Sequence, residues 1–351
     1  MVKFHTDDFY IYASRGKTAY LAERKRDLLQ LFDGKDLGPV QTFCGCTIDR
    51  RVDSQGRNVM AIHLQHYWHK LFKKAGLDPH HPKATRPIAE KIDRRCCPPE
   101  VDAARRSKFL MILGSIMYGV LHCRFDLVFS AFQFARVMSN PAEKHMDMLM
   151  TFLAYIRTTV TFELKFYEIS DERKAALLEH FTFYIFPDSS HGDDEATGKS
   201  TAGHFMFLQI GQGCVNGISH LQKWVGLSST ESEYMEVTDS CKTAAFSLQF
   251  LQELKMFKRV SFEVLEDSKP CISALHKDVT QSKFRHIHLA CHYVKECIQA
   301  GWCIVTKIKT TEQVGDLATK ALPGPAVSKF SKVVLGNGIH TTVVPGTGVV
   351  D

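Results

Sequence analysis

The chain has 351 residues, with 44 Lys and Arg against 38 Asp and Glu and a formal net charge of +6. Apolar residues at 44% and charged residues at 23% exclude a disordered chain, a collagen-like repeat and a coiled coil. The length fits about two domains, each able to bury a core. The charge is unevenly split: residues 1–170 carry 26 basic and 18 acidic side chains, whereas residues 171–351 carry 18 and 20. A front half that grips a polyanion beside a back half that uses carboxylates accounts for this split; random drift of surface charge is the plain alternative.

The eleven cysteines are scattered and include no CxxC pair. Cys44-x-Cys46 and the adjacent Cys96 and Cys97 are too sparse for a zinc framework, so reduced thiols in an intracellular protein are expected. The N-terminal MVKFHTDDF has no apolar signal core, and the longest apolar run, 109–121, is too short for a bilayer. No signal peptide, transmembrane segment or membrane partner is therefore expected.

Residues 3–14 read as strand, acidic turn and strand, and 21–32 has helical spacing. A strand pair follows at 41–50 and 58–64, joined by the turn DSQG at 53–56. Leu64, Tyr67, Trp68 and Leu71 predict a helix over 64–75, stopped by Gly76. Lys70, Lys73 and Lys74 share another side of it, which suits contact with nucleic acid or an ordinary solvated face. Residues 78–100, rich in Pro, His and basic side chains, read as a linker. Helices are predicted near 103–121, 126–138 and 141–156.

The second half alternates more regularly. Strands are predicted at 180–188, 200–211 and 214–224, then a long helix at 228–254, a fourth strand at 261–267, a short helix from 268 and a helix ending at Gly301. A fifth strand at 302–310 and a final helix at 311–322 complete the order βββαβαβα, a mixed-sheet α/β fold. The Gly-, Val- and Thr-rich stretch from 326 reads as a poorly ordered tail.

Asp188 and Asp267 fall at strand ends, Glu231 and Glu233 in the first turns of the long helix, and Asp316 in the last helix. Elements that meet at one sheet edge can gather such acids, and clustered carboxylates stay ionised only with cations between them. Mg²⁺, a hard ion liganded by oxygen, fits this chemistry, and two such ions can support phosphodiester cleavage. Taken singly, each acid is more often a turn residue or a cap. Ser228-x-x-Glu231 and Thr230-x-x-Glu233 compete as the capping box, which leaves open which glutamate faces the sheet edge. His286, His288, Cys291 and His292 are weighed as a transition-metal site, with a histidine-rich surface helix as the plainer reading. Lys223 and Trp224, just before the long helix, suit nucleic-acid contact, or equally a surface lysine and a core tryptophan.

The motifs LSSTESEYMEV, QVGDLATKAL, KDLGPVQTFCGCTIDR and the stretch ILGSIMYGVLHCRFDLVFSAFQFARVMSNPAEKH resemble the C-terminal part of copia-type LTR retrotransposon Pol polyproteins. The resemblance implies a truncated reverse-transcriptase palm and thumb remnant at 1–100 and a helical connection at 101–175. A ribonuclease H-like domain would occupy 176–325, followed by the tail at 326–351. Asp188, Glu233, Asp267 and Asp316 match the metal-binding acids that hold two Mg²⁺ ions, with Mn²⁺ as a substitute, and hydrolyse the RNA strand of an RNA–DNA hybrid. No small-molecule cofactor is implied. Asp7 and Asp8 in HTDD match the paired aspartates of the polymerase turn. The sequence begins just before that turn and lacks the earlier palm strand, so polymerase activity is not expected of this chain. The departures at Ser190, His191 and His288 leave a relic that binds nucleic acid without cutting it as the alternative.

Overall fold

The structure, a computed structural model, describes residues 2–5, 8–11, 17–32, 34–276 and 288–337. Packing divides the chain into two units, Met1–Asp49 and Arg50–Asp351. In the first, β1 (Val2–His5) and β2 (Asp8–Ile11) form an antiparallel pair with His5 opposite Asp8. Helix α1 (Thr18–Leu31) follows and has no buried residue. The stretch 41–50, expected as one strand, is two. Cys44 at φ 46° and Gly45 at φ 69° turn the chain between β3 (Thr42–Phe43) and β4 (Cys46–Val52), which pair through Phe43 and Cys46.

The second unit carries everything that positions the candidate site. Its first part holds β5 (Asn58–His63), α2 (Gln65–Ala75), α3 (Ala103–His122), α4 (Val128–Ala135), α5 (Glu143–Thr158) and β6 (Leu164–Tyr167). Helix α2 buries Trp68, Leu71, Phe72 and Ala75 and ends at Gly76, whose φ of 68° is the left-handed cap expected there. Gly119 of α3 admits the Trp68 ring, because a Cβ at Gly119 would fall 2.2 Å from it. The apolar run 109–121 lies within α3 and buries Phe109, Ile112, Leu113, Ile116 and Val120. No helix among the described residues is long and apolar enough to cross a membrane.

Residues 78–100 contain only one 3₁₀ turn, Arg94–Cys96, yet they form a fastened strap rather than a free linker. Ile88 and Ile92 are buried. Arg157 donates to the carbonyls of Asp78 and His81, both at 2.7 Å. Lys91, Arg94 and Arg95 pair with acids of the hairpin described below.

After α6 (Asp171–Glu179) comes a five-stranded mixed sheet in the order β11-β10-β7-β8-β9. Strands β7 (His180–Asp194), β8 (Lys199–Phe207) and β9 (Cys214–Leu221) are antiparallel, whereas β10 (Arg259–Glu266) runs parallel to both β7 and β11 (Cys303–Lys307). Helix α7 (Ser229–Glu253) lies on this sheet and buries Tyr234, Val237, Cys241, Ala244 and Leu248 against Phe183, Ile185, Phe262 and Val264. Helices α8 (Lys269–His276) and α9 (His288–Gln299) extend the same core through Cys271, Leu275, Val294 and Cys297.

Five elements depart from the sequence reading. The strand expected over 180–188 runs on to Asp194, because the hairpin with β8 continues its pairing past Asp188, so Asp188 lies inside β7 and not at its end. Strand β6 and helix α6 fall in 157–179, where no element is predicted. β6 has only four residues, and its partner β5 lies about a hundred residues earlier, so no local pattern marks it. The helix expected over 311–322 shrinks to a 3₁₀ turn, Thr310–Glu312, and the four-residue α10 (Asp316–Thr319). The expected tail contains α11 (Gly324–Val334), which starts after Pro323 and buries Val327, Phe330 and Val334 at helical spacing. Residues 338–351 lie outside those described.

Candidate active site

Asp188 sits on β7 opposite Gly203 of β8 and is 6% exposed. Glu233 lies in the second turn of α7, and Asp267 follows the last residue of β10. Asp316 opens α10. Two residues seat that short helix. Gln313, fully buried, donates from Nε2 to the carbonyls of Pro187 (3.0 Å) and Leu265 (3.4 Å), and its Oε1 accepts from Gly315 N (3.0 Å). One side chain thus ties the loop to the interior of β7 and the end of β10. At Gly315 a Cβ would lie 2.8 Å from the Cβ of Asp188, so glycine permits the close approach.

Three of these carboxylates respond to others of the set. Burial pushes the Asp188 carboxyl up, and the charge of Asp267 adds to it, while Lys320 and Thr319 oppose the shift. Burial also raises Glu233, helped by Asp188 and Asp267 and opposed by Ser268. Asp316 is pushed up to about 6, first by burial and then by Asp188. Asp188, Glu233 and Asp316 thus each respond to a carboxylate from a distant part of the chain, up to 128 positions away, although among the described residues no three of the acids bring their oxygens within 4.8 Å of one another.

Two further groups belong here that sequence reasoning missed. Glu266 is buried; its Oε1 accepts from the backbone N–H of Asp267 (3.1 Å) and Ser268 (2.9 Å). Burial holds its carboxyl well above the usual range, and Glu233, Asp267 and Asp188 add to the shift. Lys320 bonds Asp316 and reaches Asp188 at 3.3 Å, and Thr319 donates to Asp188. Burial works against the Lys320 charge, but Asp188 and Asp316 outweigh it and raise its pKa. The signal for Lys320 was its place one helical turn after Asp316; Glu266 had none, since strand alternation separates it from its neighbour Asp267.

Glu231 and Glu233 divide as the capping chemistry requires. Ser228 Oγ accepts from Glu231 N (3.2 Å), and Glu231 Oε2 accepts from Leu227 N (3.0 Å), so Glu231 caps the helix. Glu233 Oε2 and Glu266 Oε2 are buried without a hydrogen-bond partner. An all-oxygen donor set with two such orphaned atoms suits a hard dication, which would satisfy what no protein donor does.

The remaining candidates lie elsewhere. Lys70, Lys73 and Lys74 are exposed on α2. Lys223 is exposed and Trp224 half-buried in the β9–α7 loop, with the indole N–H unpartnered. Asp8 opens β2 in the first unit. Asp7 and His286 lie outside the described residues.

No family model matches the chain. It is 28% identical over 308 residues to the "Retrovirus-related Pol polyprotein from transposon TNT 1-94" of Nicotiana tabacum, covering 86% of this chain and 22% of that protein. It is 24% identical over 223 residues to the "Retrovirus-related Pol polyprotein from transposon RE1" of Arabidopsis thaliana, covering 64% and 14%. The chain therefore spans well under half the length of either relative. Among solved structures, the foamy viral protease-reverse transcriptase in complex with dsDNA overlaps 88% of this chain and 55% of its own, at 13% identity and a TM-score of 0.44.

Proposed function

We propose that this chain, a relative of the retrovirus-related Pol polyproteins of plant transposons, carries a nuclease in residues 176–325 that hydrolyses the RNA strand of RNA–DNA hybrids. Residues 1–100 are then a reverse-transcriptase palm and thumb remnant, and 101–175 a helical connection. The observation that supports the nuclease reading is the mutual influence of charge among Asp188, Glu233, Asp267 and Asp316, together with the buried oxygens of Glu233 and Glu266 that no donor satisfies. These four acids would hold Mg²⁺, or Mn²⁺ in its place. When bound, a pair of such ions lowers the pKa of an attacking water and stabilises the departing 3′ oxygen.

The chain's own groups have separate tasks. Gln313 and Gly315 hold Asp316 against β7, so the acid set is in place before substrate arrives. Lys320 neutralises Asp188 and Asp316 in the metal-free protein. The exposed Lys70, Lys73, Lys74 and Lys223 can pair with backbone phosphates, and the half-buried Trp224 can stack on a base. One observation favours the second reading, a binder that does not cut: the Lys320 ammonium already satisfies two of the four acids.

A labelled RNA–DNA hybrid separates the readings. Incubation with Mg²⁺ yields cleaved RNA under the first, and a gel shift without products under the second. Asp267→Asn is expected to abolish cleavage while hybrid binding persists; unchanged cleavage in that variant removes the assignment.

A further inference from the structure

One helical turn beyond Glu233, a second group of ligating side chains lies between α7 and β9. His220 lies on β9, and Glu236 and Asp239 lie three residues apart on α7. Their donor atoms all fall within 4.8 Å of one another. His220 Nε2 is 3.5 Å from Glu236 Oε2 and 3.8 Å from Asp239 Oδ2. A tetrahedral ion with bonds of about 2.05 Å sets its ligands roughly 3.3 Å apart, so these side chains need close in only slightly.

Glu236 makes this more than a surface cluster. It is fully buried, and its Oε2 has no hydrogen-bond partner although it points to the side where His220 and Asp239 meet. Its other oxygen, Oε1, lies 2.8 Å from Nδ1 of His204, a buried residue of β8, which fixes the carboxylate's orientation. A carboxylate held by a second residue while presenting one bare oxygen is the arrangement that outer-shell partners impose on metal ligands. Asp239 likewise spends Oδ1 on Lys242 Nζ (2.8 Å) and leaves Oδ2 toward His220. His220 and Asp239 are each about one-third exposed, at 30% and 32%, so an ion and its water have a path from solvent.

We propose that His220, Glu236 and Asp239 form a second metal site, distinct from the acid rim, that takes a transition-metal dication of the Zn²⁺ class. The imidazole nitrogen decides the class. Mg²⁺ prefers oxygen ligands and octahedral water, whereas one nitrogen and two carboxylate oxygens with an open fourth position suit Zn²⁺ or its Co²⁺ surrogate. Among the described residues the nitrogen at the acid rim is that of the protonated Lys320, so the two sites sort different ions.

Co²⁺ titration of the full chain in excess Mg²⁺ tests this, with Mg²⁺ there to saturate the acid rim. The expected result is one equivalent of Co²⁺ with visible d–d bands and no thiolate charge-transfer band, displaced by Zn²⁺. His220→Ala is expected to lose the bands. Asp239→Asn should weaken Co²⁺ at least about tenfold, and His204→Gln between about 10- and 100-fold through the outer shell. The same Co²⁺ spectrum and affinity in His220→Ala overturns the proposal. So does a thiolate band in the wild type, which would mean cysteine binding, or complete competition by Mg²⁺, which would return the ion to the acid rim. If His220→Ala fails to fold, Asp239→Asn takes its place, and Co²⁺ affinity unchanged in that variant overturns the proposal equally.

Discussion

Strand β7 carries two groups of acids a few residues apart, and they behave in opposite ways. In the strand's interior Asp188, 6% exposed, shares its charge environment with Glu233, Asp267 and Asp316. At the strand's end Asp194, 5% exposed, sits in the β7–β8 hairpin with Asp193 and Glu195. There Arg136 pairs with Asp194 at 2.6 Å, Lys91 with Asp193 at 2.8 Å and Arg95 with Glu195 at 2.6 Å. Burial alone would raise the Asp194 carboxyl, yet Thr197 and Arg136 outweigh it and hold it below the usual value. Similar exposure with opposite shifts shows that low exposure alone does not set the direction; Asp188 is the more deeply enclosed of the two and has the poorer supply of cationic partners. The mark is burial among like charges with one cation for several carboxylates. The hairpin acids are fully partnered and fasten the strap 78–100; the β7–β10 acids are under-partnered.

The contrast can be broken first at Asp188. Asp188→Asn is expected to cost several kcal/mol of transition-state stabilisation, on the order of a thousandfold in hybrid cleavage with Mg²⁺. The same variant should raise the melting temperature of the metal-free protein, because it removes a buried charge from a repelling set. A melting temperature that falls would mean that Asp188 is structural, as the hairpin acids are.

Arg136→Gln probes the hairpin and should invert that pattern. It leaves Asp194 buried and under-paired and should cost about 3 kcal/mol in urea unfolding, with cleavage by the folded fraction unchanged. Because the Asp194 carboxyl is held below its ordinary value of 3.8, the stability it contributes is present at neutral pH and is lost on acidification below that value.

Asp316 sharpens the comparison through pH. Its folded pKa of about 6 lies above its ordinary value of 3.8, so the metal-free fold is favoured by protonation and loses that contribution as pH rises through about 6. The rise in melting temperature caused by Mg²⁺ should therefore be larger at pH 7.5 than at pH 5, and this difference should shrink in Asp316→Asn. Lys320→Gln should enlarge the Mg²⁺-induced rise by roughly a few degrees, since the competing ammonium is gone.

The smallest effect concerns the basic helix. Replacing Lys70, Lys73 and Lys74 together with Ala should lower the slope of log affinity against log salt by up to about three, about one per lost phosphate contact. An unchanged slope would make them an ordinary solvated face.

The acids were visible in the sequence because each falls near a predicted element boundary, although β7 runs on past Asp188 to Asp194. Periodicity of two and of 3.6 marked β7 to β11 and α7, since those elements bury one face against a common core. What periodicity could not reach was anything decided by a distant partner. β6 exists because β5 offers it an edge, and the segment before the short α10 is held by Gln313, which bonds Pro187 inside β7 and Leu265 near the end of β10. The sequence by itself determined which residues could carry charge chemistry and which strands could form. Only the tertiary structure decided that Glu231 caps while Glu233 keeps one unpartnered oxygen, that Glu266 and Lys320 join the acids, and that His220 meets Glu236. Those outcomes depend on distances between segments far apart in the chain, and a linear pattern carries no distances.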